Sequence, residues 1–326
     1  MTEQQNKAYD YFRQQGFLPV NAESYPVFKS YDQGDNRLGE LTAVVAVVWG
    51  FAYHAVYKVI QGYLCSLWFH GEEPAYFEIL RQSPGGPACS LQEVVDILYG
   101  LSVGSGLPFL RIYAIEERFL REYEALKGYV MKTEYSDDHS EYAYRIKDVL
   151  ELSGGINLNK RNRLKKFFKQ LNISLQPITK ENVHLCLEVQ EAWCGYRECS
   201  SCESFVGCEK NAIAIMAAIF DEHVHTGIIG YFDNVPVGYA ICEKKNEQMA
   251  FLYFGKSTVP DFFVYLIYMI VKMYFSDVAC LNINEDMGNA GLRLFKAHLG
   301  IHELWRKYSC TFTRVIEGGR SDGSAA

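Results

Sequence analysis

The second half of the chain alternates apolar runs and turn residues on a schedule that leaves few folds open. Leu175–Ile178 reads as a short strand, placed at an edge by Pro177, which cannot donate to a ladder. Thr179 caps a helix from near Glu181 to about Trp193, and Asn211–Phe220 is a second helix. Thr226–Phe232 and Val235–Glu243 are strands joined at Asp233-Asn234, a pair suited to a tight hairpin. Met249–Phe254 is a third strand, Asp261–Phe275 a buried helix and Cys280–Ile283 a strand. Gly291–His298 is a helix and Tyr308–Val315 the last strand. Alternation of this kind predicts an α/β (α+β) layer architecture.

The succession β-α-α-β-β-β-α-β-α-β is the layout of an N-acetyltransferase-like (GNAT) domain. The first half is a blurrier version. Tyr53–Ile60 and Tyr63–Phe69 read as strands turned at Gln61-Gly62. Ser90 caps a helix from Leu91 to about Tyr99, with Glu93 completing a capping box. Leu110–Ile115 is a strand, Glu116–Leu126 a helix, and the acidic stretch Lys132–Glu141 a loop. The expectation is two tandem GNAT-like domains, each a mixed sheet flanked by helices: residues 1–135, then residues 136–317, followed by a disordered tail at 318–326.

A chain of 326 residues suits two domains. Its net charge of −7 removes any global attraction to DNA or to anionic membranes, so such contacts need a local patch. The N-terminus MTEQQNKAYD has no apolar core of the signal-peptide kind. Leu41–Tyr57 and Phe262–Val271 are apolar but fall short of the ~20 residues a membrane span needs. Ten cysteines without a secretory signal point to reduced thiols in a cytoplasm.

The local patch exists. Between Lys160 and Lys169 six residues are basic (Lys160, Arg161, Arg163, Lys165, Lys166, Lys169) and none is acidic. Leu164, Phe167, Phe168 and Leu171 recur at i, i+3, i+4 and i+7, which predicts an amphipathic helix with an apolar underside and a cationic top. Such a helix is either a solvated surface or a site for phosphate or another polyanion.

Three stretches together resemble the bacterial family related to the soluble C-terminal domain of phosphatidylglycerol lysyltransferase, long known as a domain of unknown function. The first runs from Tyr142-Ala143-Tyr144 through Leu150, Leu152 and Gly154 to Lys160-Arg161-Asn162 and Phe167. The second is Asn282 to Arg293 with Lys296, similar to the family's Asn-Arg-Glu-x-Asp-Leu-Gly-x-x-Gly-Leu-Arg; Ile283 and Asn284 stand where the family has Arg and Glu. The third is the apolar segment Glu40–Trp49.

The resemblance covers nearly the whole chain. It implies an acyltransferase of the aminoacyl-tRNA-dependent type, with aminoacyl-tRNA and a phospholipid headgroup as partners, in the cytoplasm or peripheral to the membrane, and no cofactor required for the chemistry. Asp286, by type the general-base candidate, and Asn282 are the catalytic candidates. Lys160, Arg161, Asn162 and Arg163 on the helix are the substrate-binding candidates, with Tyr144, Gly288, Arg293 and Lys296. Asp286 reads equally as the cap of a plain strand-to-helix turn.

Two other classes stay open. The place where acetyl-CoA enzymes carry a glycine-rich pyrophosphate loop reads Phe254-Gly-Lys-Ser-Thr-Val-Pro260, with one glycine and a proline, so an acetyl-CoA acyltransferase needs a degenerate loop. A non-catalytic polyanion-binding module stapled by a metal is the other. Cys194, Cys199, Cys202 and Cys208 could close a structural zinc site, hold an iron–sulfur cluster, or stay as reduced thiols. His54 reads as a core residue, and His223 and His225 lack a third metal ligand.

Overall fold

The computed structural model describes residues 1–32, 36–81, 89–151, 156–196 and 209–315. Up to residue 136 the chain forms α1 (Glu3–Gln14), β1 (Leu18–Pro19), α2 (Tyr25–Tyr31), α3 (Ala43–Gly50), β2 (Val56–Ile60), β3 (Tyr63–Trp68), β4 (Tyr76–Arg81), α4 (Leu91–Gly104), β5 (Leu110–Glu116), α5 (Leu120–Glu124) and β6 (Tyr129–Tyr135). It continues with β7 (Glu141–Arg145), α6 (Ile146–Glu151), α7 (Ile156–Phe168), β8 (Ile173–Pro177), α8 (His184–Tyr196), α9 (Lys210–Ile219), β9 (His225–Phe232) and β10 (Val235–Lys244). The last elements are β11 (Met249–Ser257), α10 (Phe262–Tyr274), β12 (Cys280–Asn282), α11 (Ala290–His298), β13 (Glu303–Trp305) and β14 (Lys307–Arg314).

The local signals act where they were expected. Ser90 and Glu93 form the expected capping box at α4, and Thr2 and Gln5 form a further, unanticipated one at α1. Asp233 and Asn234 both take positive φ (49° and 65°), as do Gln61 and Gly62 (48° and 87°), the backbone of a type I′ hairpin turn. Four strands were not anticipated, among them the short β1 and β13, of two and three residues. β4 lies in a stretch left unassigned, and β6 occupies part of the segment expected to be a loop; five of its seven residues are exposed, so it carries no buried alternating face. His54, expected in the core, is exposed at a positive-φ position.

Two seven-stranded mixed sheets result, in the orders β1-β2-β3-β4-β5-β14-β6 and β13-β7-β12-β11-β10-β9-β8. In each, one pair is parallel, β4 with β5 and β11 with β12, and the other pairings are antiparallel. This is the GNAT order in duplicate, with one exchange. The strand that follows β6 in the chain, β7, lies in the second sheet, and the final strand, β14, lies between β5 and β6 of the first.

The compact units are therefore interleaved. One comprises residues 1–36, 53–136 and 306–326; the other comprises 37–52 and 137–305. The sequence division at 135/136 is corrected in two places: residues 306–315 belong with the first sheet, and 37–52 with the second unit. β14 carries Cys310 and Phe312 into the first core beside Phe12, Phe77, Val94 and Leu98. Strand pairing and core burial, neither visible in local sequence, decide its place. The expected tail at 318–326 lies outside the described residues.

In the second unit, α7 and α10 pack on one side of the sheet, where Leu164, Phe167, Phe262, Leu266 and Ile270 are buried with Tyr142, Tyr144 and Ile283. On α8, α9 and α3 the contacts run from α8 to α9 and β10, and from α3 to α9.

Candidate functional site

The parallel strands β11 and β12 part after the pair Phe251–Asn282, where β12 ends and β11 runs on to Ser257. The side chain of Asn284, at φ 57°, crosses this fork and donates to the Leu252 carbonyl at 3.0 Å. Its Oδ1 is buried with no hydrogen-bond partner among the described residues. Asn282, fully buried, donates through Nδ2 to the Arg37 carbonyl (2.9 Å) and to Glu141 (2.5 Å), and its Oδ1 accepts the Asn284 amide at 2.7 Å.

Glu141 is equally buried. It accepts the Gly39 amide at 2.7 Å, so a carboxylate on β7 fixes the segment leading into α3. A Cβ on Gly39 would lie 2.0 Å from Asn284 Oδ1, so no larger residue fits there without displacing the Asn284 side chain.

Beyond the fork, residues 283–289 turn into α11. Asp286 is fully buried and its carboxylate is crowded with donors. Arg293 Nε donates to Oδ2 (2.8 Å), Arg293 Nη2 and the Gly288 amide donate to Oδ1 (2.9 and 2.8 Å), and the Tyr142 hydroxyl donates to Oδ2. Burial by itself would raise the Asp286 pKa; the bonds from Arg293, Tyr142 and Gly288 outweigh it and hold the acid below its ordinary value. The same contacts act on the partners. Burial and the Asp286 bond push Tyr142 up to about 12, and the bonds to Asp286 and Asp138 raise Arg293. Gly288 takes φ +72°, the left-handed conformation that lets its amide fold back onto Asp286.

Asp286 is thus not the helix cap. Asn289 is, accepting the Leu292 amide at 3.0 Å. Arg293 is half-exposed (45%) and is clasped from both sides, by buried Asp286 and by Asp138. A guanidinium so pinned has its direction set before any ligand arrives.

Lys296 is buried (4% exposed), with its Nζ donating to the carbonyls of Ile283 (2.7 Å), Asn284 (2.9 Å) and Glu285 (2.6 Å). The ammonium also lies 5.2 Å from the centre of the Tyr142 ring. Burial pushes its pKa down to about 8. All three of its protons go to backbone, so Lys296 shapes the turn and has none to spare for a substrate. Tyr144 is likewise internal, donating to the Lys296 carbonyl at 2.8 Å. Beside it lies an apolar void of about 20 Å³ lined by Leu164, Leu281 and Ile283 among others.

The helix candidates lie on α7. Arg161 and Asn162 are exposed on α7; the side chains of Lys160 and Arg163 lie outside the described residues. Among the described contacts, none joins Arg161 or Asn162 to Asp286, Arg293 or Lys296. The residues that the sequence reading missed are Glu141, Tyr142, Asp138 and Gly39. A charge at an inward position of an aromatic strand (EYAYR) was the signal for Glu141. The others come from elements far away in sequence.

Three amides between Thr258 and Phe262 are already bonded within the protein. Thr258 N–H donates to the Val237 carbonyl (2.9 Å), Val259 N–H to Ser257 Oγ (3.0 Å) and Phe262 N–H to the Val259 carbonyl (3.2 Å). These three donors lie where acetyl-CoA enzymes cradle a pyrophosphate, and here they are engaged by Val237, Ser257 and Val259. Of the four cysteines proposed as metal ligands, Cys194 lies in the last turn of α8 and accepts from Gln190 Nε2 at 3.5 Å; Cys199, Cys202 and Cys208 lie outside the described residues. Among the described residues no group of three or more His, Cys, Asp or Glu is placed to hold a metal ion, and no helix is long and apolar enough to cross a membrane.

The family profile of the C-terminal region of phosphatidylglycerol lysyltransferase matches residues 84–298, well over half of the chain. The chain belongs to that family. The match includes Tyr142, Asp286, Arg293 and Lys296. Several solved structures share the fold. A conserved protein of unknown function from Bacteroides thetaiotaomicron superposes with a TM-score of 0.79 at 18% identity, covering 91% of this chain and 99% of the other. The C-terminal domain of a putative lysylphosphatidylglycerol synthetase from Agrobacterium fabrum gives 0.61 at 10% identity, covering 89% and 91%. L-PGS from Bacillus licheniformis gives 0.60 at 13%, covering 90% and 92%. At these identities the likeness is one of fold. No curated protein matches the chain.

Proposed function

We propose that this chain is an acyltransferase of the aminoacyl-tRNA-dependent type, moving an aminoacyl group to a phospholipid headgroup or another small hydroxyl or amine acceptor. The observation that carries this reading is the clasped Arg293, lying within the segment that matches the lysyltransferase family. An aminoacyl ester is already activated. Attack by the acceptor on the ester carbonyl releases the tRNA hydroxyl, so the protein has mainly to hold two anionic partners, align them and stabilise the oxyanion.

Arg293 is our candidate for the phosphate or oxyanion contact, and Arg161 and Asn162 on α7 for a further substrate contact, with Lys160 and Arg163 as the sequence places them. Asp286 acts as a positioning residue. Its lowered pKa and filled coordination suit it to orient Arg293 and Tyr142 rather than to take up a proton. Asn282 and Glu141 hold the fork, and Lys296 the turn. The internal bonding of residues 257–262 favours this reading over an acetyl-CoA enzyme.

The test is direct. Purified protein is incubated with tRNA charged with labelled amino acid and with phosphatidylglycerol vesicles, and the lipid fraction is examined by mass spectrometry. Labelled aminoacyl-lipid is expected, with kcat/KM falling roughly 10²-fold in Arg293→Ala. No product, under conditions where a known lysyltransferase gives product, would overturn the reading.

A further inference from the structure

The α7 region departs from its sequence pattern in one informative way. The helix stops at Phe168, so only half of the apolar stripe is covered. Leu164 and Phe167 are buried, but Phe168 is 49% exposed and Leu171, at the tip of the turn into β8, is fully exposed at 102%. Phe168 leans edge-on against Tyr265 (5.4 Å between ring centres) and Tyr268 (5.7 Å) of α10, which extends an aromatic surface beneath it. Lys272 lies over the Tyr268 ring, 5.9 Å from its centre. Lys165 and Lys169 flank Phe168 in sequence and are exposed.

A leucine at a turn tip with no covering contact costs solvation and contributes nothing to the core. Set among exposed lysines and beside an aromatic shelf, in a protein of net charge −7, it has the composition of an interfacial anchor: an apolar wedge for the acyl boundary and cations for anionic headgroups. A protein partner would be served by the apolar part alone. A nucleic acid would be served by the cations and would leave Leu171 without purpose.

We infer that the Phe168–Leu171 tip, with Lys165, Lys169 and Lys272 around it, is a docking surface for the face of an anionic phospholipid bilayer. This surface does not rest on the transfer chemistry, since it is read without turnover. It would bring the domain to a membrane, whatever the domain does there.

The full chain is floated with vesicles of phosphatidylcholine alone and of phosphatidylcholine with ~30% phosphatidylglycerol, at low and raised salt. Binding is expected to the anionic vesicles only, weakening as salt rises. Lys165→Gln and Lys169→Gln should each weaken it about fivefold. Leu171→Asp should weaken it about tenfold or more, with an unchanged melting temperature because the side chain touches no core. Phe168→Ser serves as an independent second variant with the same expected direction. Absence of binding to anionic vesicles at low salt overturns the inference. So does binding that Leu171→Asp and Phe168→Ser leave intact, and so does loss of tRNA binding in these variants with vesicle binding preserved.

Discussion

The chemistry of Lys296 follows from a conflict between two forces on one atom. Three carbonyls at 2.6–2.9 Å favour the ammonium, and burial favours the amine. Burial prevails, and the pKa falls from 10.5 to about 8. The sign of the stability effect follows. Below pH 8 the lysine is charged in both the folded and unfolded states, and the folded protein bears the whole cost of burying the charge. Between pH 8 and 10.5 the unfolded chain holds the proton and the folded one has lost it, so the contribution of Lys296 to stability rises with pH. Against a Lys296→Met variant, urea unfolding should show the wild-type advantage growing by up to about 3 kcal/mol from pH 7 to pH 10.5. A difference that stays flat over that range would contradict the burial argument. The cluster around Lys296 was half legible in the sequence. Asp286, Gly288, Arg293 and Lys296 lie within one short stretch and could be seen together. Tyr142, Glu141 and Asp138 join them only because β7 pairs with β12, and no local pattern announces which strand will lie beside which.

At the scale of the element, α7 shows where periodicity stops being informative. The spacing of Leu164, Phe167, Phe168 and Leu171 describes one face of an ideal helix, but the face counts only as far as the helix extends and a partner covers it. α10 covers the first two positions. Leu164→Ala should therefore cost about 2–5 kcal/mol in unfolding free energy. Leu171→Ala should cost less than about 0.5 kcal/mol. Chemical denaturation of the two variants separates them, and equal costs would mean that the tip is packed after all. The cap of α4 and the two type I′ turns were legible because each depends on a few adjacent residues. β6 was not, since a strand exposed along most of its length takes its identity from the neighbour that pairs with it, here β14.

For the whole molecule, the exchange of β7 and β14 is what a linear reading could not supply. GNAT-like halves were expected in series; the sheets instead share the chain. A fragment of residues 1–136 lacks the strand that carries Cys310 and Phe312 into its core, and losing a buried Phe alone costs about 3–5 kcal/mol, a large part of a domain's stability. That fragment should show no cooperative thermal transition by circular dichroism. Adding a peptide of residues 306–315 should restore one, and a cooperative melt without the peptide would refute the account. The arrangement also sets a timetable. A protein made of successive domains can finish the first while the ribosome is still translating the second. Here the first sheet waits for residues 307–314, translated after the whole second sheet, so its β5 and β6 edges stay unjoined through most of synthesis. Chaperone demand during translation, rather than the stability of the finished protein, is where that exchange is felt.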